Sequence, residues 1–489
     1  MAHLLEPGEV FPMMGRQAKG QQLKMFYQGL CLERRVRSDH PLRQVKQLVD
    51  FDFIYQAVAP SYGVNGNVSV PPPVILKLML LLVFYNVRSE RELMATLPER
   101  IDWLWFIDFD LDDAIPDHSV LSKARSRWGT ATFKHFFERI VCQCVEAGLV
   151  DGSKIFMDSS LIQADASNNS IINLNSLKSQ LNRHYQELEA RLAEDGKGNG
   201  QLNKTHLSTT DPDASLVSQG KVRSQLSFKA HRAVDGHREV ITATTVTSGA
   251  VNEGHLLADL VEQHTGNTQS PVEVVVADSQ YGTINNYLEC HDRGLKAHIP
   301  PFKDGQNSNG KFSDAAFSYD PEDDVYLCPA GQRLRRGRYD RNHETFQYHG
   351  QAKICTACSL RDRCTDSKRG RTLRRHLRHE EVRLMRERAQ SCGSKKDIRT
   401  RQHLMERSFA RAVRFGFKRA RWRRLWRVRI QEYLTAAIQN IMILVHYVKE
   451  PGKAIPLAIK NTKDKWLNLE ETYLAILTSK GYFHWAGCF

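Results

Sequence analysis

Apolar residues along the first 150 positions recur at helical rather than alternating intervals. The run from Val74 to Tyr85 is apolar except for Lys77 and follows Pro71-Pro72-Pro73. Proline closes the preceding segment and is tolerated in a first helical turn, so this run predicts a buried helix. Ser89 stands ahead of Glu90, Glu92, Leu93, Met94 and Leu97, the pattern of a capped helix with acids in its first turn. Pro116-Asp117-His118-Ser119 predicts a turn in which Asp117 or Ser119 caps a third helix carrying Lys123, Arg125, Arg127 and Trp128. Residues 1–150 therefore read as an N-terminal all-helical domain. Its basic helix suits contact with a polyanion, a dimer contact or a purely structural role.

The pattern then changes. Lys154-Ile155-Phe156-Met157 is a short apolar strand ending at Asp158, with a second strand candidate at Leu161–Ala164. Residues 172–194 have an amphipathic helical spacing through Leu174, Leu177, Leu181, Tyr185, Leu188 and Leu192. Residues 195–225 are rich in Gly, Asn, Ser and Thr and read as a loop. Ser227–Asp235 and Glu239–Thr247 alternate on either side of Gly236-His237-Arg238, which predicts a hairpin. A helix (Gly254–His264), a β-branched strand (Val272–Ala277) ending at Asp278, a helix (Ile284–Arg293) and a strand (Lys296–Ile299) complete the run.

Early antiparallel strands followed by βα units give an α/β fold: a mixed five-stranded sheet with helices on both faces. This order is RNase-H-like, with the first and fourth strands side by side, so that Asp158 and Asp278 meet just past two strand ends. Residues 303–378 are loop-rich and polar and read as a cysteine-bearing insertion before the last core helix. Residues 379–450 read as a basic helical part completing the core, with apolar helical spacing over Gln431–Tyr447, and 451–489 as a C-terminal tail. The division is thus 1–150, 151–302, 303–378, 379–450 and 451–489.

Charge sharpens this picture. The net charge is +14, yet Thr365 to Arg429 holds 23 Lys/Arg and 6 Asp/Glu, a local +17, which leaves 14 − 17 = −3 for everything else. A basic stripe so concentrated is the footprint of a phosphate-backbone binder, although charge runs are often only solvated helix faces. No run reaches the roughly 18 apolar residues that span a bilayer. The start MAHLLEPGEVF lacks a basic head and apolar core, so no secretory signal and a cytoplasmic location are expected. Of the ten cysteines, Cys31, Cys142, Cys144, Cys290, Cys392 and Cys488 are scattered and expected to be reduced. Cys328, Cys355, Cys358 and Cys364 are clustered around a CxxC knuckle, a pattern that fits a structural tetrahedral zinc site. An iron–sulfur cluster and free thiols are the alternatives.

Three acids carry the candidate chemistry. Phosphodiester cleavage and transfer need a nucleophile generated near neutral pH and charge stabilisation at the leaving oxygen, which two divalent ions about 4 Å apart supply. Hard Mg²⁺ takes carboxylate oxygens. An aspartate after a strand is commonly a turn residue, and a glutamate in a basic helix is commonly a salt-bridge partner; only their combination in order points to a site.

That combination resembles the DDE transposases of bacterial insertion sequences, over roughly residues 50–450 and closest to their eleven-eighty-two group. Phe156-Met157-Asp158-Ser159-Ser160 is similar to the first-aspartate motif and Val276-Ala277-Asp278-Ser279-Gln280-Tyr281-Gly282 to the second. Arg401-Gln402-His403-Leu404-Met405-Glu406-Arg407-Ser408-Phe409-Ala410, continued by Arg419–Arg423 and Leu434–Asn440, is similar to the helix that supplies the glutamate. Asp211-Pro212-Asp213-Ala214 and the helical block from Val70 to Trp128 match as well.

The resemblance implies catalytic metal ligands Asp158, Asp278 and Glu406 holding two Mg²⁺ ions, with Mn²⁺ able to substitute. Asp158 would bridge them. It implies double-stranded DNA partners (terminal inverted repeats and target), a homodimer on DNA, nucleoid-associated action and no membrane partner. Arg411, Arg414, Lys418, Arg419 and Arg421 are the expected phosphate contacts. Trp422 and Trp426 are expected in packing, and His118 and His231 in structural roles.

The sequence departs from the family at Val413, where a lysine is usual, at Arg424, where glycine is usual, and at Ile398, where tyrosine is usual. An inactive transposase-derived DNA-binding protein or repressor is the alternative function, and a non-transposing nuclease a third. Dependence on the three acids separates the first from a transposase, and joining of a 3′-hydroxyl end to a second DNA separates the last.

Overall fold

The computed structural model describes residues 14–15, 31–63, 68–173, 206–218, 224–301 and 310–448. Helices α1 (Leu32–Arg35), α2 (Pro41–Leu48), α3 (Phe53–Val58), α4 (Pro72–Phe84), α5 (Glu90–Thr96), α6 (Ile101–Ile107) and α7 (Ser119–Glu146) form the N-terminal region. α4 is the expected apolar helix, and Val74 through Val83 are all buried. A helix apolar all round is stable only when surrounded; its one cation, Lys77, pairs with Asp108. The Ser89 hydroxyl accepts from Glu92 N at 3.1 Å at the start of α5, and Asp117 Oδ1 accepts from Ser119 N at 2.8 Å at the start of α7, as their sequences predict.

The main sheet has the expected RNase-H-like order. Strand β1 (Lys154–Gln163) is followed by two short strands, β2 (Ile171–Asn173) and β3 (His206–Ser208), which pair with each other. Next come β4 (Ser215–Val217), β5 (Gln225–Asp235) and β6 (Ile241–Ser248), then β7 (Val274–Val276) and β8 (Lys296–His298). β5 lies antiparallel between β1 on one side and β6 and β4 on the other. β7 is parallel to β1 and to β8.

Helices cover both faces. α8 (Leu257–Thr268), α9 (Ile284–Asp292) and α11 (His379–Ala389) share one core with Ile155, Met157, Val275 and Ala297. α12 (Cys392–Val413) and α13 (Leu425–Val448) share the opposite core with Phe156, Phe228, Val234 and the N-terminal helices. α13 packs against α2, α4 and α7 as well as β6, so the N-terminal helices and the sheet are joined through one continuous apolar layer. No helix of the described residues is long and apolar enough to cross a membrane.

Three expectations need correction. The two strand candidates around Asp158 are one ten-residue strand, because Asp158, Ser159 and Ser160 stay in register with Arg232, His231 and Ala230 of β5. The polar stretch 195–225 contains β3 and β4 among its described residues, and β4 makes the main sheet six-stranded where five strands were expected. The insertion is no open loop either: β9 (Ser318–Asp320), β10 (Val325–Leu327), β11 (Arg333–Asp340), β12 (Thr345–His349) and β13 (Thr372–His376) form a five-stranded antiparallel sheet with the short helix α10 (Ala352–Thr356). Its core is small, consisting of Phe317, Tyr326, Leu334, Tyr348 and Leu373. Most of the helix expected over 172–194 and all of the tail 451–489 lie outside the described residues.

Candidate metal centre and basic surface

Pairing of β1 with β7 stops at Phe156 and Val276. Beyond that point the two strands part, and the acids two residues on, Asp158 and Asp278, stand in the opening. Asp278 then starts a tight turn, its Oδ1 accepting from Gln280 N at 2.9 Å. A third acid joins them. Asp158, Glu253 and Asp278 each offer a carboxylate oxygen, and these oxygens lie within 4.8 Å of one another. Glu253 opens a 3₁₀ turn, Glu253–Leu256, that leads into α8.

The charges are only partly balanced. Arg401 of α12 pairs with Asp158 Oδ2 at 2.6 Å, and Lys229 of β5 pairs with Glu253 at 3.2 Å. Burial foremost, aided by Asp278 and Glu253, outweighs Arg401 and pushes the Asp158 carboxyl up to about 6. Burial and then Glu253 raise Asp278 in the same direction. Two half-buried aspartates that resist ionisation, grouped with Glu253, are a fitting cage for a hard divalent cation, which takes oxygen ligands and neutralises them.

Glu406 is not in this group. α12 is fixed to the sheet by Asp397, which accepts from Lys154 Nζ at 3.0 Å and is 2.7 Å from His298 Nδ1, and one turn on by Arg401. An α-helix turns by roughly 100° per residue, so five residues beyond Arg401 the side chain projects roughly 140° away. Glu406 is exposed and accepts from Gln402 Nε2 at 3.2 Å. Glu253 was missed in the sequence because it belongs to no strand end. The only local signal was an Asn-Glu-Gly turn ahead of a helix.

The expected phosphate contacts separate into two kinds. Arg411, Arg414, Lys418 and Arg419 are exposed at and beyond the end of α12; Arg411 pairs with Glu239 at 2.9 Å and Arg419 with Asp165 at 3.1 Å. Arg421 is turned inward instead, onto Asn86 Oδ1 and the Val87 carbonyl, and burial brings its guanidinium down to about 10. A guanidinium engaged in this way links α12–α13 to the N-terminal helices and is not free for phosphate. Trp422 also packs inward, with Arg125 over its ring at 4.0 Å and its Nε1 donating to Glu90 at 3.2 Å. Trp426 is partly buried against the apolar core. His231 is wholly buried, 2.9 Å from Thr247 Oγ1, and burial holds it neutral, down to about 3.

The departures acquire physical meaning. Arg424 has φ +80°, the left-handed region in which a residue with a Cβ pays roughly 1–2 kcal/mol and glycine pays nothing. Its N–H donates to Asp211 Oδ1 at 3.1 Å, and Leu425 N donates to Asp213 Oδ2 at 2.9 Å. The Asp211-Pro212-Asp213 segment therefore caps α13. Val413 is exposed between two arginines, whereas Ile398 packs partly into the core.

The four clustered cysteines line one cavity of the insertion. Cys328 Sγ accepts from Gln332 N at 3.3 Å and Cys358 Sγ from Leu360 N at 3.4 Å. A Cβ on Gly350 or Gly370 would come within 2.8 or 3.2 Å of Cys355 Sγ, so glycine lets the backbone close around that sulfur.

Two segments of the chain match family models. Residues 30–127 match a model described as a transposase domain, and residues 327–445 match a transposase DDE domain. Both models are of transposases, and together they support a DDE transposase of insertion-sequence type. The second match includes Glu406 and the four cysteines but neither Asp158 nor Asp278. No curated protein matches the sequence. Among solved structures, a piggyBac transposase synaptic complex with hairpin DNA, determined by cryo-EM, shares 8% identity over 90% of this chain and 79% of its own, with a TM-score of 0.34.

Proposed function

We propose that this transposase, of the eleven-eighty-two group, binds the terminal inverted repeats of its element as a homodimer, cleaves DNA at the element's ends and joins the freed 3′-hydroxyl to target DNA. The observation that carries the reading is the meeting of Asp158 and Asp278 at the parting of two parallel strands, in a chain of this family. Both would hold Mg²⁺, or Mn²⁺ in its place, and the bound cation supplies Lewis-acid stabilisation of charge at the scissile phosphate. Asp158 and Asp278 orient that centre, and the closely packed apolar layers below limit water to the sheet edge. Arg411, Arg414, Lys418 and Arg419 hold the phosphate backbone, which makes end binding steeply salt-dependent. The test is a cleavage and joining assay on DNA carrying the element's ends with Mg²⁺ or Mn²⁺. Metal-dependent nicking with joined product, lost in Asp278→Ala, is expected. Tight end binding without cleavage by the wild type supports the inactive or repressor reading instead.

We also infer a structural zinc at Cys328, Cys355, Cys358 and Cys364. A sheet with so small an apolar core gains much of its stability from such a staple. Purified protein should carry about one zinc per chain, and Cys355→Ser should release it and lower the melting temperature. Metal-free protein with an unchanged melting temperature in Cys355→Ser would exclude the site.

A further inference from the structure

We propose that Glu253 is a further metal-holding carboxylate of the acidic centre, beside Asp158 and Asp278, with the Tyr281 hydroxyl as a donor to the ligand bound there; this rests on the transposase reading above.

Three observations support it. The first is placement: Glu253 shares a 4.8 Å group with Asp158 and Asp278, while Glu406 faces solvent. The second is construction. Asn286 of α9 is buried and donates through Nδ2 both to the Gly254 carbonyl and to the Tyr281 carbonyl, each at 2.9 Å. One amide thus clamps the turn bearing Glu253 to the turn following Asp278. A Cβ on residue 254 would lie 3.0 Å from the Gln280 carbonyl oxygen, so glycine is what permits this approach. The Asn252 side chain accepts from Gly254 N at 2.9 Å and fixes the turn from the other side. Two turns from distant parts of the chain are locked so that like charges face each other, an arrangement that costs stability unless a cation occupies it.

The third observation is an unsatisfied group. Tyr281 is fully buried and its hydroxyl has no hydrogen-bond partner. It belongs to the turn that Asp278 opens, the turn that Asn286 clamps against the one bearing Glu253. Buried hydroxyls almost always find a partner, and an oxygen of a ligand held by the neighbouring acids would supply one. The other such group among the described residues, His291, Asp292 and Glu381, is already satisfied, because the Arg378 guanidinium bonds to all three.

Mn²⁺ binding to the full-length protein without DNA tests the proposal, read by the electron paramagnetic resonance signal of free Mn²⁺. Hard Mn²⁺ discriminates against the cysteine cluster. Glu253→Gln should weaken Mn²⁺ binding at least tenfold, as should Asp158→Asn, while Glu406→Gln stays within twofold of wild type. Glu253→Asp, which keeps the charge but shortens the reach, gives an intermediate value and shows that the turn still folds. Tyr281→Phe weakens binding less than Glu253→Gln. Wild-type affinity in Glu253→Gln beside a loss in Glu406→Gln overturns the assignment and leaves the transposase reading intact. Wild-type affinity in both Asp158→Asn and Asp278→Asn removes the metal centre itself.

Discussion

Replacing Arg232 by methionine should destabilise the protein by about 3–5 kcal/mol, the usual cost of leaving a buried partner charge uncompensated. Arg232 and Glu432 are 0% and 1% exposed and meet at 2.6 Å, with the second guanidinium nitrogen 3.0 Å from the other carboxylate oxygen. The remaining guanidinium nitrogen reaches Gln439 Oε1 at 2.9 Å and Ser408 Oγ at 3.2 Å, and Thr244 Oγ1 donates to Glu432 at 2.8 Å. This one network ties β5, β6, α12 and α13 together. Arg232 is also the β5 residue paired opposite Asp158, so the same contacts fix the strand beneath the acidic centre. Glu432→Gln should cost nearly as much, and Arg232→Met/Glu432→Leu should recover part of the loss, short of wild type because Thr244, Ser408 and Gln439 lose partners. Urea unfolding at pH 7 measures all three. Single variants within about 1 kcal/mol of wild type would show that the network is not what holds the helices to the sheet.

The elements legible in the sequence were those with a strong local signal. β5 and β6 alternate, β7 is a β-branched run, and α4 is apolar but for Lys77; each lies where its pattern indicated. The adjacency of Asp158 and Asp278 followed from strand order alone. What the sequence concealed depended on long-range contacts. Asp158, Ser159 and Ser160 look like a break between strands, but β5 supplies the hydrogen-bond ladder that carries β1 through them. The insertion's strands have few apolar positions each, so they resemble loop until stacked into one sheet. Arg421 looks like its exposed neighbours, and only the docking of residues 415–424 on Asn86 turns it inward. Glu253 is invisible as a site residue because the clamp that positions it, Asn286, lies 33 residues further along the chain.

Asp158→Asn should reduce end cleavage by roughly a thousandfold or more, equivalent to about 4 kcal/mol of transition-state stabilisation, yet leave the metal-free protein at least as stable as wild type near neutral pH. Asparagine keeps an oxygen for Arg401 but cannot serve as an anionic ligand. The stability side follows from the carboxyl's position. In an unfolded chain an aspartate titrates near pH 3.9, and in the folded protein burial foremost, with Asp278 and Glu253, brings Asp158 to about 6. Between roughly pH 4 and 6 the folded protein therefore holds a proton that the unfolded chain has released, and stability falls as pH rises through that window. A two-unit displacement corresponds to roughly 3 kcal/mol, an upper figure for a side chain that keeps 24% of its surface in water. The variant lacks this cost, so its melting temperature in chelator should exceed that of wild type at pH 7.5, and the gap should close as pH falls to 3.5, where Asp158 is protonated in both states. Adding Mn²⁺ should reverse the order, because the cation stabilises only a protein with its acids in place. Cleavage by Asp158→Asn within tenfold of wild type would place the chemistry elsewhere. A melting temperature that drops equally at both pH values would mean that the Arg401 pair outweighs the burial of the charge.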